Sequence, residues 1–474
     1  MLIKHSVIYF LGKLTPAIVS IVGVSIYTRL VNPDDYGLFS LITVITGLVN
    51  ILFFQWIRSS FIRFYNDREN INSFIGSIIK SHIITLLLLG IPTIITAFVL
   101  YFISLNVWYV FIGYILITLL SIFEMLIVYF RTILKPTVVA NVSVIKSLTV
   151  VIVSTILIYY GGGVTGLLLG SIFGLFLGIL FFGRRLGSKI VGLSIISNKT
   201  TQKGLLKYGL PITLSFALSV ALQNIDKIMI SFILGLEENG NYTVGFDLIH
   251  NLIYMIMMSL SLASFPLILK IIKTDGEEAG KRQFKYYSKL LLFISIPACF
   301  GLATILNEFT GIIIGEEFSV SNNLMNLIIL ASLFHGLKSY YFDLTLQISA
   351  KTKYFFYPVL TAVILNVILN IYMLNKYGIE GAALATTISF FVAMLISAYY
   401  SIKNYRVPFP WWDFLKVVTS STIMYLFIIN ITFENSLLAL VSKVLAGCFV
   451  YILLSFIMNS LNIRELVMNK IAKR

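Results

Sequence analysis

The sequence predicts an all-α integral membrane protein with about fourteen transmembrane helices. Of its 474 residues, 58% are hydrophobic and 12% are charged, and the mean hydropathy is +0.94, whereas soluble domains carry roughly a quarter charged residues. Apolar runs of about 20 residues recur along the whole chain, and each is long enough to cross ~30 Å of hydrocarbon as a helix. The alternating segments of about 10 residues that are typical of membrane β-barrels are not seen.

The first apolar run, from Ser6 to Tyr27, indicates how the chain enters the membrane. It is longer than the apolar core of a signal peptide, and no small-residue cleavage site follows it, so we expect a retained helix. Further runs of similar length follow at short intervals. The predicted spans, in chain order, are 6–28, 36–57, 81–105, 107–130, 137–160, 164–182, 208–234, 242–268, 289–313, 322–346, 355–374, 381–401, 414–432 and 437–459.

The loop charges predict the orientation of these spans. The formal net charge is +15, and the bases collect in the even-numbered loops, with only Arg29 and Lys376 in the odd ones. The odd loops hold acids instead, such as Asp34 and Glu237. By the positive-inside rule, the even loops and both termini are cytoplasmic. This rule accounts for most of the positive charge, so we expect no nucleic-acid partner.

The order of motifs predicts two related halves. Arg131-Thr-Ile-Leu-Lys135 precedes a Gly163-Val-Thr-Gly166 hairpin, and Gln347-Ile-Ser-Ala-Lys351 precedes Gly378-Ile-Glu-Gly381 about 215 residues later. Each half contains six predicted spans, and both halves enter from the same side. We therefore expect two lobes related by a pseudo-twofold axis along the membrane normal, with a central cavity at their interface. The predicted domains are an N-lobe with its basic linker, a C-lobe and two additional C-terminal spans, at residues 1–200, 201–405 and 406–474.

Motifs of soluble enzymes are missing from the chain. It has no Walker A sequence, no H-E-x-x-H and no Gly-x-Ser-x-Gly elbow, so we expect neither enzymatic activity nor a cofactor. Two cysteines within apolar runs and four scattered histidines do not predict a metal site. Asp247 and His250, three residues apart, share a helical face and form either a proton-sensitive pair or a simple polar contact.

Charged side chains inside the apolar spans are the candidate functional residues, because an unpaired charge in hydrocarbon costs several kcal/mol. Asp226 and Lys227 are adjacent and diverge by ~100° around a helix, so they are not expected to neutralise each other. The alternatives are snorkelling of each lysine to an interface, which we expect for Lys443, and structural pairing between helices. The candidates for contact with an anionic head group are Lys227, Lys338, Lys146, Lys13 and Arg29, and those for ion coupling or gating are Asp226, Glu124, Asp343 and Asp247.

Three stretches, in order along the chain, carry a resemblance to a known family. They are Arg29-Leu-Val-Asn-Pro33-Asp-Asp-Tyr36-Gly37-Leu-Phe39, Asn224-Ile-Asp226-Lys-Ile-Met-Ile with Leu234-Gly235 and Tyr242, and Asn366-Val-Ile-Leu-Asn370 with Tyr377-Gly378-Ile-Glu-Gly381-Ala-Ala-Leu-Ala385-Thr386. Together they resemble the polysaccharide biosynthesis flippases. These are O-antigen and capsule repeat-unit translocases of the multidrug/oligosaccharidyl-lipid/polysaccharide exporter superfamily.

The resemblance implies a flippase of the bacterial cytoplasmic membrane. Its substrate would be an undecaprenyl-pyrophosphate-linked oligosaccharide, moved between leaflets by alternating access and coupled to H⁺ or Na⁺. Membrane lipids and the polysaccharide polymerase machinery are the other implied partners. Two alternatives from the same superfamily remain open, a lipid II-type flippase and a multidrug/cation antiporter. A non-transporting assembly scaffold would lack the half-to-half repeat.

Overall fold

The computed structural model describes residues 2–65, 71–102, 106–186, 199–405, 409–433 and 435–462. These residues form helices joined by short connections, and they contain no β-strand. Ten of the described helices are long and apolar enough to cross a membrane. The predicted all-α membrane fold is therefore confirmed.

The helices are numbered α1 to α15 in chain order. They are α1 (Leu2–Leu30), α2 (Pro33–Phe64), α3 (Ile71–Phe102), α4 (Trp108–Thr132), α5 (Pro136–Tyr159), α6 (Gly163–Leu186), α7 (Lys199–Ile233), α8 (Leu236–Asp275), α9 (Glu277–Thr304), α10 (Leu306–Ile313), α11 (Asn322–Leu337), α12 (Asp343–Ile348), α13 (Phe356–Asn404), α14 (Trp411–Ile428) and α15 (Ser436–Ile457). A π-helical turn, Lys338–Phe342, joins α11 to α12 without a break, and Thr352–Phe355 and Ser460–Asn462 are short 3₁₀ turns.

The fourteen predicted spans fall on these helices, but several observed helices are longer than the predicted spans. The predicted span 289–313 consists of α9 and α10, and 322–346 consists of α11, the π-turn and α12. Helix α13 contains two predicted spans, because Gly378 interrupts it with φ 58° and ψ −144°. This left-handed backbone favours glycine, which has no Cβ atom. The chain therefore reverses at Gly378 within what reads as one helix.

Contacts divide the chain into two compact units, Val7–Gly240 and Asn241–Arg474 together with Met1–Ser6. In the first unit, α7 packs along α2, and the Ser60 hydroxyl on α2 donates a hydrogen bond to the Leu205 carbonyl oxygen on α7 at 2.8 Å. Phe54, Ile57 and Leu205 belong to one buried apolar cluster of this unit. The division predicted from the repeat, with a boundary after residue 200, concerns the two halves and stays a prediction.

Glycine recurs every fourth residue on α6, at Gly166, Gly170, Gly174 and Gly178, and this face packs against α5. A Cβ atom added at Gly170 would overlap the Ser154 side chain, and one added at Gly174 would overlap Val150. Such close approach of helices is what small residues allow in membranes.

The starts of α2 and α8 cross in a reciprocal backbone contact within the first unit. A Cβ atom on Gly37 would overlap the Leu236 carbonyl oxygen, and one on Gly240 would overlap the Pro33 carbonyl oxygen. The Asn239 side-chain amide donates a hydrogen bond to the Gly37 carbonyl oxygen at 2.9 Å. Two similar acidic segments, Asp34-Asp35-Tyr36-Gly37 and Glu237-Glu238-Asn239-Gly240, therefore lie against each other.

In the second unit, α14 and α15 pack beside α9 through polar contacts. The Lys289 ammonium lies 3.0 Å from the Asp413 carboxylate, and the Tyr451 hydroxyl donates to the Phe293 carbonyl oxygen at 2.8 Å. The Lys443 ammonium on α15 contacts the Glu308 carboxylate on α10 at 2.5 Å. The expectation that Lys443 snorkels to an interface is wrong, because the side chain is buried and paired.

Candidate functional site

Three charged side chains on three helices interact inside the first unit. They are Arg58 on α2, Glu124 on α4 and Lys146 on α5, and the Glu124 carboxylate has a favourable Coulomb interaction with both cations. Among the described residues, neither Arg58 nor Lys146 forms a salt bridge, and Arg58 is only 5% exposed. The Lys146 ammonium lies 5.3 Å from the Phe123 ring centroid, a cation–π contact. Two cations and one carboxylate leave this cluster with a net charge of +1.

Arg58 is held by its own helix. Its Nε atom donates to the Gln55 side-chain oxygen at 3.0 Å, and its Nη2 atom donates to the Asn50 carbonyl oxygen at 3.5 Å. The predicted span 36–57 ends one residue before Arg58. Helix α2 continues to Phe64 and buries Arg58. The polar positions Asn50, Gln55 and Arg58 near one another on the helix were a signal that sequence reasoning missed.

His82 on α3 belongs to the same polar region. Its Nε2 atom lies 3.0 Å from the Ser121 hydroxyl, and the Arg58 charge acts on the ring electrostatically. The His82 ring also lies 4.8 Å from the Phe54 ring. Histidine therefore extends this cluster onto a fourth helix.

On α7, Asp226 and Lys227 are both buried, with 1% and 5% of their surfaces exposed. Neither residue lacks an interaction partner. The preceding polar side chains bond to their own helix, because the Gln223 amide donates to the Ser219 carbonyl oxygen and the Asn224 amide to that of Val220. The roles expected for Asp226 and Lys227 stay predictions.

Lys338 and Asp343 form a buried ion pair in the second unit. The Lys338 ammonium donates to the Asp343 Oδ2 atom at 2.6 Å, and both residues are less than 10% exposed. Residues five apart diverge by ~140° on an α-helix but share a face of the π-turn that joins α11 to α12. No pattern in the sequence indicates the π-turn, so this pairing was not predicted. Lys338 is neutralised in this arrangement.

His250 on α8 stacks on His335 of α11. The ring centroids are 5.3 Å apart and the planes are inclined by 12°. Both residues are buried, and His250 Nδ1 lies 3.0 Å from the Ser332 hydroxyl. The predicted partner of His250 was Asp247, which is partly buried, and that pairing stays a prediction.

A third polar group lies where the two parts of α13 meet. The Asn370 side-chain amide donates to both the backbone and side-chain oxygens of Asn366, each at 3.0 Å. The Asn366 amide donates to the Thr386 hydroxyl at 3.1 Å. All three residues are at most 1% exposed, so this network fixes the packing of the two helical parts.

Two cationic residues predicted to contact the head group, Arg29 and Lys13, lie on α1. Arg29 is exposed at the last turn of α1, where its guanidinium donates to the Ser25 carbonyl oxygen at 2.6 Å. Lys13 lies on α1, but its side chain is outside the described residues. The described residues contain no group of three or more His, Cys, Asp or Glu side chains that could hold a metal ion.

Two archaeal proteins are similar to this chain in sequence. An uncharacterized membrane protein of Methanocaldococcus jannaschii is 29% identical over 243 residues, covering 49% of this chain and 55% of that protein. The "Probable low-salt glycan biosynthesis flippase Agl15" of Haloferax volcanii is 32% identical over 139 residues, covering 28% of each chain. These matches therefore span about half and about a quarter of the two relatives.

Two solved structures show the same fold. The lipid II flippase MurJ in an inward closed conformation superposes with a TM-score of 0.79 at 20% identity, covering 97% of this chain and all of that one. An inward-facing multidrug resistance MATE family transporter of the MOP superfamily gives a TM-score of 0.60 at 14% identity, covering 83% and 97%. At these identities the likeness concerns the fold alone.

A family model adds to this likeness. The model of the polysaccharide biosynthesis protein family matches residues 2–272, which is more than half of the chain. Together with the ten apolar spanning helices of the described residues and the MurJ-like fold, this match confirms the resemblance noted in the sequence. The chain is a multi-pass membrane protein that belongs to the polysaccharide biosynthesis protein family.

Proposed function

We propose that the protein is a flippase for an undecaprenyl-pyrophosphate-linked oligosaccharide, an O-antigen or capsular repeat unit, in the bacterial cytoplasmic membrane. It works by alternating access and is not an enzyme. Family membership and the transporter fold support this proposal. The observation that carries it is the excess positive charge of the Arg58–Glu124–Lys146 cluster among apolar spans.

A pyrophosphate group fits this cluster. Uncompensated charge at membrane depth is costly, and a bound anion would compensate the +1 excess. The Arg58 guanidinium can bind two phosphate oxygens at once, whereas the Lys146 ammonium acts as a point charge. A low local dielectric strengthens both interactions. The same charge would repel the organic cations that a multidrug/cation antiporter would move.

Other predicted residues have secondary roles in this proposal. Lys227, Lys13 and Arg29 are further candidates for the head group, and Lys338 joins them only in a state in which its pair with Asp343 has opened. The proposal includes coupling of transport to H⁺ or Na⁺. The candidates for that coupling are Asp226, Glu124, Asp343 and Asp247.

The basic even-numbered loops support cytoplasmic positions for both termini. Lipid-linked substrate would arrive from cytoplasmic assembly enzymes and leave toward the polysaccharide polymerase machinery. The polyprenyl tail would remain in the bilayer during transfer, since moving it through a polar path would expose its apolar surface to water.

The test is complementation of a strain that lacks its own repeat-unit flippase, with chemical analysis of the surface glycan. Arg58→Gln and Lys146→Gln should each reduce surface glycan about 10- to 100-fold, because each removes one charge-assisted bond worth about 1.5–3 kcal/mol. Arg63→Gln on α2 and Lys135→Gln before α5 are matched controls, since both side chains are exposed, and they should leave the glycan unchanged.

Stability separates binding from folding in this test. Removing an uncompensated buried cation should not lower the melting temperature of the purified protein, so Arg58→Gln should melt no earlier than the Arg63→Gln control. Wild-type glycan in both Arg58→Gln and Lys146→Gln would refute the proposed site. Rescue of a strain deficient in lipid II translocation, without rescue of the repeat-unit strain, would identify the lipid II-type alternative instead.

A further inference from the structure

A column of stacked rings runs along α8 in the second unit. The Phe246 and His250 centroids are 4.8 Å apart with planes inclined by 18°, and those of His250 and Tyr254 are 5.3 Å apart with planes inclined by 22°. Tyr242 extends the column one turn further, 5.7 Å from Phe246. Residues four apart on a helix are neighbours, which produces this column. An imidazole therefore lies between two aromatic faces.

The second imidazole, that of His335, joins this column from α11. Its ring lies 4.8 Å from Tyr254 and 4.4 Å from Phe390 of α13, with planes inclined by 19° and 5°. The two histidines thus share a compartment with aromatic faces on two helices, α8 and α13. A protonated imidazole in such a compartment is attracted by the ring faces, and more strongly when it is desolvated.

The hydrogen bonds of the two rings differ. His250 Nδ1 pairs with the Ser332 hydroxyl at 3.0 Å, and that hydroxyl also donates to the Ile328 carbonyl oxygen at 2.6 Å. In the described part of the chain, His335 Nδ1 is buried without a hydrogen-bond partner. A buried nitrogen in this condition is unusual and indicates an unmade interaction.

Charged and titratable groups near the pair lie on α8, on α9, in the π-turn and on α12. His335 and Lys338 lie three residues apart, and the Lys338 charge acts on the His335 ring, but Asp343 neutralises Lys338 at 2.6 Å. On α8, Asp247 lies three residues before His250. The phenol of Tyr340 lies 4.9 Å from that of Tyr254. Tyr287 on α9 donates from its hydroxyl to the Tyr340 carbonyl oxygen at 2.6 Å.

We propose that the stacked His250–His335 pair is a proton-binding site, and that it couples transport to H⁺. This inference rests on the proposed transport function and names the coupled ion. The pair takes one proton per cycle, because two imidazolium charges 5.3 Å apart repel each other. With an effective dielectric constant of ~20, this repulsion makes the second proton bind on the order of a hundredfold more weakly than the first.

Protonation of the pair also affects the neighbouring π-turn, Lys338–Phe342. A single imidazolium introduces a positive charge three residues from Lys338, and this repulsion weakens the hold of α11 on the π-turn. The π-turn is a local irregularity of the kind that is frequent at functional sites. The proton thus adds positive charge beside the Lys338–Asp343 ion pair at this π-turn.

Histidine NMR tests the binding of the proton without a substrate. The chain has four histidines, so the protein labelled with ¹⁵N-histidine in lipid nanodiscs gives four ring spin systems, assigned by single His→Gln variants. In a titration from about pH 8 down to about pH 4, the His250 and His335 signals should respond together to the uptake of one proton. His335→Gln should shift the His250 titration by at least about one pH unit, and His82→Gln should leave it in place. Independent titration of the two rings, or no response of either, would overturn the proposal.

Proteoliposomes test the coupling. Undecaprenyl pyrophosphate serves as the probe, and its leaflet is reported by access to an externally added phosphatase, with and without an imposed pH gradient. The wild-type protein and the exposed control variant Lys135→Gln should move the probe several-fold faster with the gradient. His250→Gln and His335→Gln should move the probe at the same rate with and without the pH gradient, namely the wild-type rate without it.

The two proposals fail in different ways in this assay. If the wild-type protein does not move the probe under either condition, the proposed function fails, while the NMR result still decides whether the pair binds a proton. If His250→Gln and His335→Gln both keep the full response to the gradient, the coupling role of the pair is overturned and the flippase function stands.

Discussion

The reciprocal contact of Gly37 and Gly240 supports a quantitative prediction. The change Gly37→Ala adds a Cβ atom that would overlap the Leu236 carbonyl oxygen and lie 2.8 Å from its carbon and 3.0 Å from the Gly240 nitrogen. All of these are backbone atoms, so no side-chain rotation relieves the overlap. The start of α2 must therefore move away from the start of α8 by about 1 Å or more, as overpacked sites do.

Three contributions determine how much Gly37→Ala lowers the free energy of unfolding. Overpacking costs about 1–3 kcal/mol, and loss of the Asn239 hydrogen bond to the Gly37 carbonyl oxygen costs about 1 kcal/mol. Alanine in place of glycine within a helix returns about 0.5–1 kcal/mol. The net destabilisation is about 2 kcal/mol, which for a unit of this size lowers the melting temperature by roughly 4–8 °C.

Thermal unfolding of the purified protein, followed by fluorescence in one detergent, measures this effect. Gly47→Ala on the same helix is the matched control, because a Cβ atom there meets nothing within 4 Å, and it should melt at the wild-type temperature or slightly above. Gly240→Ala should match Gly37→Ala. The melting temperature of the double variant should fall by less than the sum of the two single decreases, since one displacement of α2 from α8 relieves both overlaps. A Gly37→Ala protein as stable as Gly47→Ala would refute the reasoning.

Two buried ion pairs give further predictions. Glu308→Gln leaves the Lys443 charge buried and unpaired and should cost about 3–5 kcal/mol, whereas Glu308→Gln combined with Lys443→Met should recover most of that loss, measured by thermal unfolding; equal melting temperatures for the single and double variants would contradict this. Asp343→Asn should likewise destabilise the protein, and Lys338→Met added to it should restore stability but not surface glycan, provided that Lys338 contacts the head group in another state. Restored glycan in that double variant would exclude Lys338 from the proposed site.

Most of the fold could be predicted from the sequence because hydrocarbon imposes one rule on every span. About 20 apolar residues must be helical to satisfy their backbone, and the fourteen runs were visible for that reason. The ends of the helices were predicted less well. Helix α2 runs past its predicted end to Phe64, and there the polar side chains of Arg58 and Ser60 find hydrogen-bond partners.

The candidate site could be predicted only where a charge interrupts an apolar run. Glu124 and Lys146 were visible in this way, but their proximity to Arg58 depends on the packing of three helices, which hydropathy does not report. The Lys338–Asp343 pair was hidden by the π-turn, because an α-helix separates those two positions. No local pattern relates two histidines that are 85 residues apart, and only the packing of α8 on α11 brings His250 to His335.

Gly37 and Gly240 also bear on the ancestry of the chain. If the predicted halves arose by duplication, the two glycines descend from one residue, and in a dimer of the undivided half-length ancestor that residue met its own copy across a twofold axis. At that stage, one mutation altered both sides of the contact together. After fusion the two sides became separate positions in one gene, and each now limits which residues the other can accept. The crossing of α2 and α8 is thus a place where the two halves cannot diverge independently.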